Sequence, residues 1–256
     1  MNILTIENLS VGYGTGRKCH VVGSRLNASL PPASLTALIG SNGAGKSTLL
    51  RTLSGFLPPL EGVVRWKDFP DTRPSQQQLA RLLAIVLTAR IESDFLSARE
   101  VVESGRAPYT PFDGRLSQHD HDVVNEALRL TESDHLASRR LHQLSDGERQ
   151  RVMIAKALAQ ETPVILLDEP TAFLDFAGKI KTMRLLQSLA HDKGKTILIS
   201  THDLEPAFHI ADRLWLLSPT AITEGTPRTL ADEGVLQQFF YADGMNFDSE
   251  ALRFTF

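Results

Sequence analysis

The most specific pattern in this 256-residue chain is Gly40-Ser41-Asn42-Gly43-Ala44-Gly45-Lys46-Ser47. It matches the phosphate-loop pattern G-x-x-x-x-G-K-[ST] at every fixed position. The apolar run Leu35 to Ile39 precedes it and predicts a buried strand, whereas Thr48 to Leu53 follows it and predicts a helix. A strand before the loop and a helix after it are the context that this pattern requires, which disfavours a glycine-rich turn with a chance lysine.

A loop of this composition predicts a nucleoside-triphosphate site. Glycines allow the backbone to curl so that successive N–H groups point at phosphate oxygens, and the N-terminus of the following helix adds partial positive charge. We expect Lys46 to reach the β- and γ-phosphates and the Ser47 hydroxyl to bind Mg²⁺. The predicted nucleotide contacts are Gly40, Ser41, Asn42, Gly43, Ala44, Gly45, Lys46, Ser47 and Thr48.

Short apolar runs elsewhere in the chain predict a mainly parallel sheet. They show almost no alternation, which is typical of strands buried on both faces beneath helices. The runs are Leu35 to Ile39, Leu82 to Leu87, Val164 to Leu167, Thr196 to Ser200 and Leu214 to Leu217. The opening residues 2–7 alternate more and predict a strand in a flanking antiparallel sheet.

The middle of the chain, from about residue 89 to 160, is polar and helix-prone. Residues 117–120 and 145–148 both fit a Ser-x-x-acid capping box at a helix start. We therefore predict a helical subdomain, residues 89–160, inserted into an α/β core formed by residues 1–88 and 161–227. Residues 228–256 are a predicted C-terminal tail with a short helix and the aromatic residues Phe239, Phe240, Tyr241, Phe254 and Phe256.

Candidate catalytic residues follow two of the predicted strands. Asp168 and Glu169 come directly after Val164 to Leu167, and ligands bind at the carboxyl ends of parallel strands. We expect Asp168 to hold Mg²⁺ and Glu169 to orient or deprotonate the attacking water. By itself such a pair is more often a solvated turn. His202, after the next strand, could touch the γ-phosphate and hold the water, although a lone histidine is more often structural or merely exposed.

Bulk composition limits the function classes. The 27 basic and 30 acidic residues give a formal charge of -3, which offers no electrostatic footprint for nucleic acid or an anionic membrane. Cys19 is the single cysteine, so an internal disulfide is excluded. The start lacks a signal-peptide pattern, and no run reaches the roughly 18 apolar residues of a membrane span. We expect a cytoplasmic protein whose membrane role depends on a partner.

The segment Leu144-Ser145-Asp146-Gly147-Glu148 opens another predicted helix. Its pattern fits a capping box, in which Ser145 and Glu148 satisfy each other's backbone N–H groups. A helix start with a hydroxyl and a glycine amide is also a second anion site. The two interpretations are compatible, and the local pattern does not decide between them.

Together these motifs resemble the ABC ATPase family over about residues 1–227, in family order. They are the phosphate loop, residues 144–148, the acidic pair Asp168 and Glu169, Phe173-Leu174-Asp175, and His202. The resemblance implies a P-loop NTPase fold, ATP and Mg²⁺ as cofactors, and a homodimer of two copies arranged head to tail.

The resemblance also implies roles for residues that local pattern leaves open. Ser145 and Gly147 of one copy would bind the γ-phosphate held by the phosphate loop of the other, and Asp175 would help to couple the two sites. Tyr13 matches the aromatic residue that stacks on adenine, although an aromatic near an N-terminal strand is also common core material. A single copy would then hold two half-built sites and hydrolyse ATP poorly.

Two positions depart from the family pattern. Thr88 stands where a glutamine normally touches Mg²⁺ and relays the nucleotide state to the membrane partner; its hydroxyl is shorter but could still meet a metal-bound water. Asp146 stands where the family most often has glycine. Since a carboxylate beside a triphosphate is unfavourable, we predict that the Asp146 side chain points away from the nucleotide.

Residues 100–110 look like the helical-subdomain stretch of importer ATPases that serve iron-siderophore, haem and cobalamin permeases. The implied partners are integral-membrane permease subunits and, indirectly, a substrate-binding protein, with the chain peripheral on the cytoplasmic face of the cell membrane and residues 89–115 docking on the permease. Two alternatives remain at this stage: an ABC ATPase not tied to a permease, and a P-loop phosphotransferase of small molecules. The latter would need neither residues 144–148 nor a dimer.

Overall fold

The computed structural model describes residues 1–14, 16–88, 94–111, 113–241 and 246–255. The strands are β1 Leu4–Tyr13, β2 His20–Leu30, β3 Leu35–Ile39, β4 Glu61–Trp66, β5 Leu83–Val86, β6 Val164–Asp168, β7 Thr196–Ser200, β8 Arg213–Ser218, β9 Ala221–Gly225, β10 Asn246–Asp248 and β11 Arg253–Thr255. The α-helices are α1 Lys46–Leu53, α2 Gln76–Leu82, α3 Ala98–Glu103, α4 Gln118–Leu130, α5 Asp146–Ala159, α6 Phe176–Lys193, α7 Leu204–Ile210, α8 Pro227–Asp232 and α9 Val235–Tyr241.

The central sheet has the strand order β5-β6-β7-β3-β8-β9 and is parallel except for β9, which pairs antiparallel with β8. Every residue of β3, β6 and β7 is buried. This confirms the predicted α/β fold with a mainly parallel sheet. The order places the end of β7 between the ends of β6 and β3, so the residues that follow these strands share one edge of the sheet.

Successive side chains of the central strands enter two separate apolar cores. Ala37 and Ile39 of β3 lie in the core shared with α3–α6, whereas Leu38 lies in the core shared with α1 and the N-terminal strands. Those N-terminal strands form the predicted flanking antiparallel sheet, in the order β2-β1-β4. Burial on both faces explains why the central strands show unbroken apolar sequence.

The chain between β5 and β6 forms α3, α4 and α5 in its described part. Each of these helices begins with a complete capping box, at Ser97, Ser117 and Ser145, and two of the three boxes were predicted. The helices pack on one another through residues such as Val102, Val124 and Val152, all inaccessible to solvent. Residues 89–93 and 112 lie outside the described part, and the division into core and helical subdomain stays a prediction.

The C-terminal prediction of one short helix and an aromatic tail was incomplete. The chain forms two short helices, α8 and α9, and then a hairpin of β10 and β11. Phe247 and Phe254 of the hairpin pack edge to face or tilted against Phe208 of α7, with ring centroids 5.5 and 6.0 Å from it. These aromatic contacts anchor the tail to α7, and they compensate for the weak strand propensity of so short a hairpin. Phe256 lies outside the described residues.

Candidate nucleotide-binding site

The phosphate loop connects β3 to α1 in the predicted manner. Gly43 and Gly45 have φ values of +79° and +98°, a left-handed backbone conformation that residues with a side chain rarely adopt. A Cβ on Gly40 would lie 2.8 Å from the carbonyl oxygen of Leu217 on β8, so this glycine is needed for close approach to the sheet. The loop is thus shaped by glycines that no other residue replaces without strain.

Lys46 lies inside this loop with 6% of its surface exposed. Its Nζ donates hydrogen bonds to the carbonyl oxygens of Gly40 at 2.8 Å and Ser41 at 3.3 Å. Burial lowers the pKa of Lys46, and the nearby carboxylates of Glu169 and Asp168 act in the opposite direction by favouring the charged form. A cation held by carbonyl oxygens can exchange these contacts for contacts with phosphate oxygens, with little movement of the loop or of the lysine side chain.

Ser47 and Asp168 meet at the carboxyl end of β6. The Ser47 hydroxyl donates to Asp168 Oδ1 at 3.0 Å, and Ser200 Oγ donates to the same oxygen at 2.7 Å. Among the described residues no group of three or more His, Cys, Asp or Glu could hold a metal ion. A hydroxyl and a carboxylate oxygen side by side nevertheless fit Mg²⁺, which prefers oxygen ligands and takes the rest of its shell from water and phosphate.

Glu169 has a left-handed backbone, with φ +50°, which is uncommon outside glycine. Its backbone N–H donates to both Oγ and the carbonyl oxygen of Ser200, at 3.0 and 3.2 Å. His202 Nε2 lies 2.6 Å from Glu169 Oε1. The end of β7 therefore fixes the Glu169 backbone and supplies the histidine that faces its carboxylate.

Tyr13, at the end of β1, lies beside the phosphate loop, and its hydroxyl is hydrogen-bonded to Thr48 Oγ1 at 2.8 Å. With 41% of its surface exposed, Tyr13 is not a core residue. One cavity is lined by Tyr13, His20, Val22, Asn42, Gly43, Gly45, Lys46, Ser47, Thr48, Glu169 and His202. The structure thus brings together most of the predicted nucleotide and catalytic residues in one place.

Several residues of this site were not predicted from the sequence. His20 and Val22, on β2, line the cavity, and a Cβ on Gly45 would lie 2.5 Å from Val22 Cγ1, so the valine covers the loop. Ser200 orients both acidic residues. A polar residue ending the strand next to β6 is the one signal that could have indicated Ser200; nothing local distinguishes Val22.

Thr88 lies apart from the cavity of the phosphate loop. Its hydroxyl donates to the backbone carbonyl of Asp168 at 2.9 Å, and it lines a second cavity together with Glu169 and Asp146. The Asp146 carboxylate lies 3.7 Å from Arg149 Nη1, one helical turn further along α5. Two expectations stay predictions: that Thr88 contacts a metal-bound water, and that the Asp146 side chain points away from the nucleotide.

Ser145 and Gly147 are at the N-terminus of α5. Ser145 is the cap: its backbone N–H donates to Glu148 Oε2 at 2.8 Å, and these hydrogen bonds lower the pKa of Glu148. Gly147 lines a further cavity with Arg151 and Leu174. Among the described residues that line the phosphate-loop cavity, none belongs to α5. One chain by itself therefore does not bring Ser145 and Gly147 to its own phosphate loop.

The chain belongs to the ABC transporter family, whose sequence profile matches residues 24–172. This family membership implies ATP binding and hydrolysis.

Individual relatives match over nearly the whole chain. The achromobactin transport ATP-binding protein CbrD of Dickeya dadantii is 39% identical over 244 residues, covering 95% of this chain and 89% of that protein. The iron(3+)-hydroxamate import ATP-binding protein FhuC of Bacillus subtilis is 37% identical with the same two coverages. A bacterial ABC transporter cassette solved as a dimer is 27% identical, with a TM-score of 0.75 over 88% of this chain and 98% of that chain.

Proposed function

We propose that this chain is the ATP-hydrolysing subunit of an importer, in which closure of a homodimer drives substrate through a separate membrane permease. The observation that carries the proposal is the division of the site. The loop around Lys46 and the Glu169–His202 pair share one cavity, whereas Ser145 and Gly147 lie outside it. A second copy placed head to tail supplies the missing residues, and a related cassette has been solved as a dimer.

In each composite site the two chains hold different parts of ATP. Tyr13 stacks on adenine, the amides of residues 40–48 and Lys46 bind the phosphates, and Ser145 and Gly147 of the second copy cover the γ-phosphate. Ser47 and Asp168 would hold Mg²⁺, which neutralises charge on the β- and γ-phosphates. Thr88 would reach this ion through water.

Hydrolysis depends on the Glu169–His202 pair. Glu169 accepts a proton from the attacking water while its carboxylate orients that water in line with the γ-phosphate. His202, whose Nε2 lies 2.6 Å from Glu169 Oε1, fixes the carboxylate and donates to a γ-phosphate oxygen. Lys46 stabilises the charge that develops on the phosphate oxygens.

The transported substrate is proposed to be an iron–siderophore chelate or a related haem or cobalamin ligand, delivered by a binding protein to the permease. Relatives that match 95% and 94% of the chain are named for iron(3+)-hydroxamate import and for a probable siderophore transport system. Among the described residues no helix is long and apolar enough to cross a membrane. The chain is therefore proposed to sit peripherally on the cytoplasmic face of the membrane, docked to permease subunits through its helical subdomain.

Purification from membranes tests this proposal. The full chain carrying an affinity tag is extracted in mild detergent from the native organism, and the proteins that accompany it are identified by mass spectrometry. A multi-span membrane protein recovered in stoichiometric amount supports the permease partnership. Lys46→Ala is the control and should recover the same protein, because docking does not need nucleotide hydrolysis. Recovery of the chain without any membrane protein would overturn the importer assignment and favour an ABC ATPase not tied to a permease.

A further inference from the structure

The carboxylate of Asp203, the residue directly after His202, is held by donors from another part of the chain. Lys179 Nζ lies 2.5 Å from Asp203 Oδ1, and Thr171 Oγ1 donates to Oδ2 at 2.6 Å. The Lys179 and Asp203 side chains are 28% and 18% exposed, and Thr171 is 2% exposed. Partial burial means that solvent screens this ion pair less than a surface pair.

These contacts run parallel to the catalytic pair. Thr171 lies two residues after Glu169, and Asp203 lies one residue after His202, so side chains connect the two segments at two places beyond the hydrogen bonds of Ser200. One connection is the 2.6 Å contact of His202 with Glu169, and the other is the carboxylate of Asp203. Loss of the Asp203 contact would loosen the segment that carries His202.

Lys179 extends this arrangement to the start of α6. Its backbone N–H donates to the carbonyl oxygen of Asp175 at 2.9 Å, and Asp175 caps the helix by accepting from the Gly178 N–H at 2.8 Å. The Lys179 side chain reaches from this first turn to Asp203. The Lys179 side chain thus bridges the first turn of α6 and the segment that carries His202.

We propose that Lys179 is a positioning residue for ATP hydrolysis, acting through Asp203 to hold His202 against Glu169. This inference rests on the proposed hydrolytic function of the Glu169–His202 pair. Lys179 does not line the phosphate-loop cavity. Lys179 also lies one helical turn from Asp175, the residue expected at the contact with the second copy.

Steady-state ATPase kinetics of the full chain test the proposal. Lys179→Met is expected to lower kcat about tenfold with KM for ATP changed less than about twofold, because displacement of a reacting group by less than 1 Å costs rate rather than ground-state affinity. Lys179→Arg keeps the cation and should retain most of the wild-type kcat. Lys193→Met, on the last turn of the same helix and paired only loosely with Glu126 at 3.5 Å, is the matched control and should behave as wild type.

A His202→Ala background separates positioning from general stabilisation. If Lys179 acts through His202, adding Lys179→Met to His202→Ala changes kcat less than about twofold, whereas independent effects would multiply. The proposal is overturned if Lys179→Met equals Lys193→Met in kcat, or if its full effect persists without His202. Failure of the proposed function itself would look different, since the wild-type chain would then show no ATPase activity that depends on Lys46 and Glu169.

Discussion

His202 Nε2 lies 2.6 Å from Glu169 Oε1, although the two residues belong to segments that follow different strands. The contact follows from the parallel register of β6 and β7, which pairs Asp168 with Ser200. The residues immediately after this pair emerge at the same edge of the sheet. The left-handed backbone of Glu169 then turns its carboxylate toward the histidine and the phosphate loop.

Glu169→Gln tests the role of this carboxylate. The amide cannot take a proton from water, so ATPase activity should fall by about 10²- to 10⁴-fold while ATP still binds. Because ATP is then bound but not hydrolysed, the closed dimer should persist. On size-exclusion chromatography with light scattering, the variant should therefore run as a dimer in ATP and as a monomer without it. A variant that stays monomeric in ATP would contradict the proposed homodimer.

Mixing two inactive variants tests whether each site is shared between chains. Lys46→Ala disables the phosphate loop of its own chain. Ser145→Arg blocks the contact that its chain makes with the γ-phosphate bound by the other chain. Random pairing of equal amounts should restore about one quarter of wild-type ATPase activity, because half of the dimers contain one intact site. Lys46→Ala mixed with Glu169→Gln is the control, since both residues serve the same site and no pairing rebuilds it. Equal recovery in the two mixtures would contradict the head-to-tail arrangement.

Asp146→Gly tests the orientation of the unusual acid in the 144–148 segment. Asp146 lies 3.7 Å from Arg149 on the next turn of α5, which is consistent with a carboxylate directed along the helix. An exposed ion pair of this kind contributes little energy, so replacing Asp146 should change the affinity of the dimer for ATP by less than about threefold. The affinity is measured by ATP titration of the Glu169→Gln chain with and without Asp146→Gly. Clearly tighter binding by the glycine variant would show that the carboxylate faces the triphosphate.

Asp120 should make the stability of the helical region depend on pH. It is 6% exposed and accepts from Ser117 and from Arg106 Nε at 2.8 Å; these hydrogen bonds, those of Ser117 foremost, lower its pKa from 3.8 to about 2. Because the folded-state pKa lies below the unfolded one, the carboxylate stabilises the fold above about pH 4, and this contribution is lost as pH falls toward 2. Urea unfolding at pH 7, 4.5 and 3 measures the loss.

The matched variant for this measurement is Asp120→Asn. It leaves Arg106, which is 1% exposed, with Glu161 at 2.7 Å as its remaining ion-pair partner among the residues that the structure describes. We expect a loss of about 3 kcal/mol in the free energy of unfolding at pH 7, typical of breaking a buried pair. The difference between the wild type and the variant should begin to shrink below about pH 4 and should approach its minimum only near pH 2. An unchanged difference between them at every pH would show that the Asp120 charge is not what stabilises the region.

Sequence pattern was a sound guide where one contiguous segment makes the structure. The phosphate loop, the buried strands and the capping boxes at Ser117 and Ser145 depend on residue spacing within a few positions. The C-terminal tail was described incompletely because its short hairpin is stabilised by Phe208, which belongs to a distant helix. Strand propensity within so short a segment is too weak to predict it.

The sequence by itself determined the fold class and the family, and it predicted which residues bind phosphate, hold the metal and activate water, since each prediction depends on a local motif. Tertiary structure alone decided that Ser200 orients both acids, that His202 meets Glu169, and that Lys179 reaches Asp203. These contacts join residues from separate segments, and their geometry depends on strand order and register, which arise from burial summed over the whole sheet rather than from any one stretch of chain.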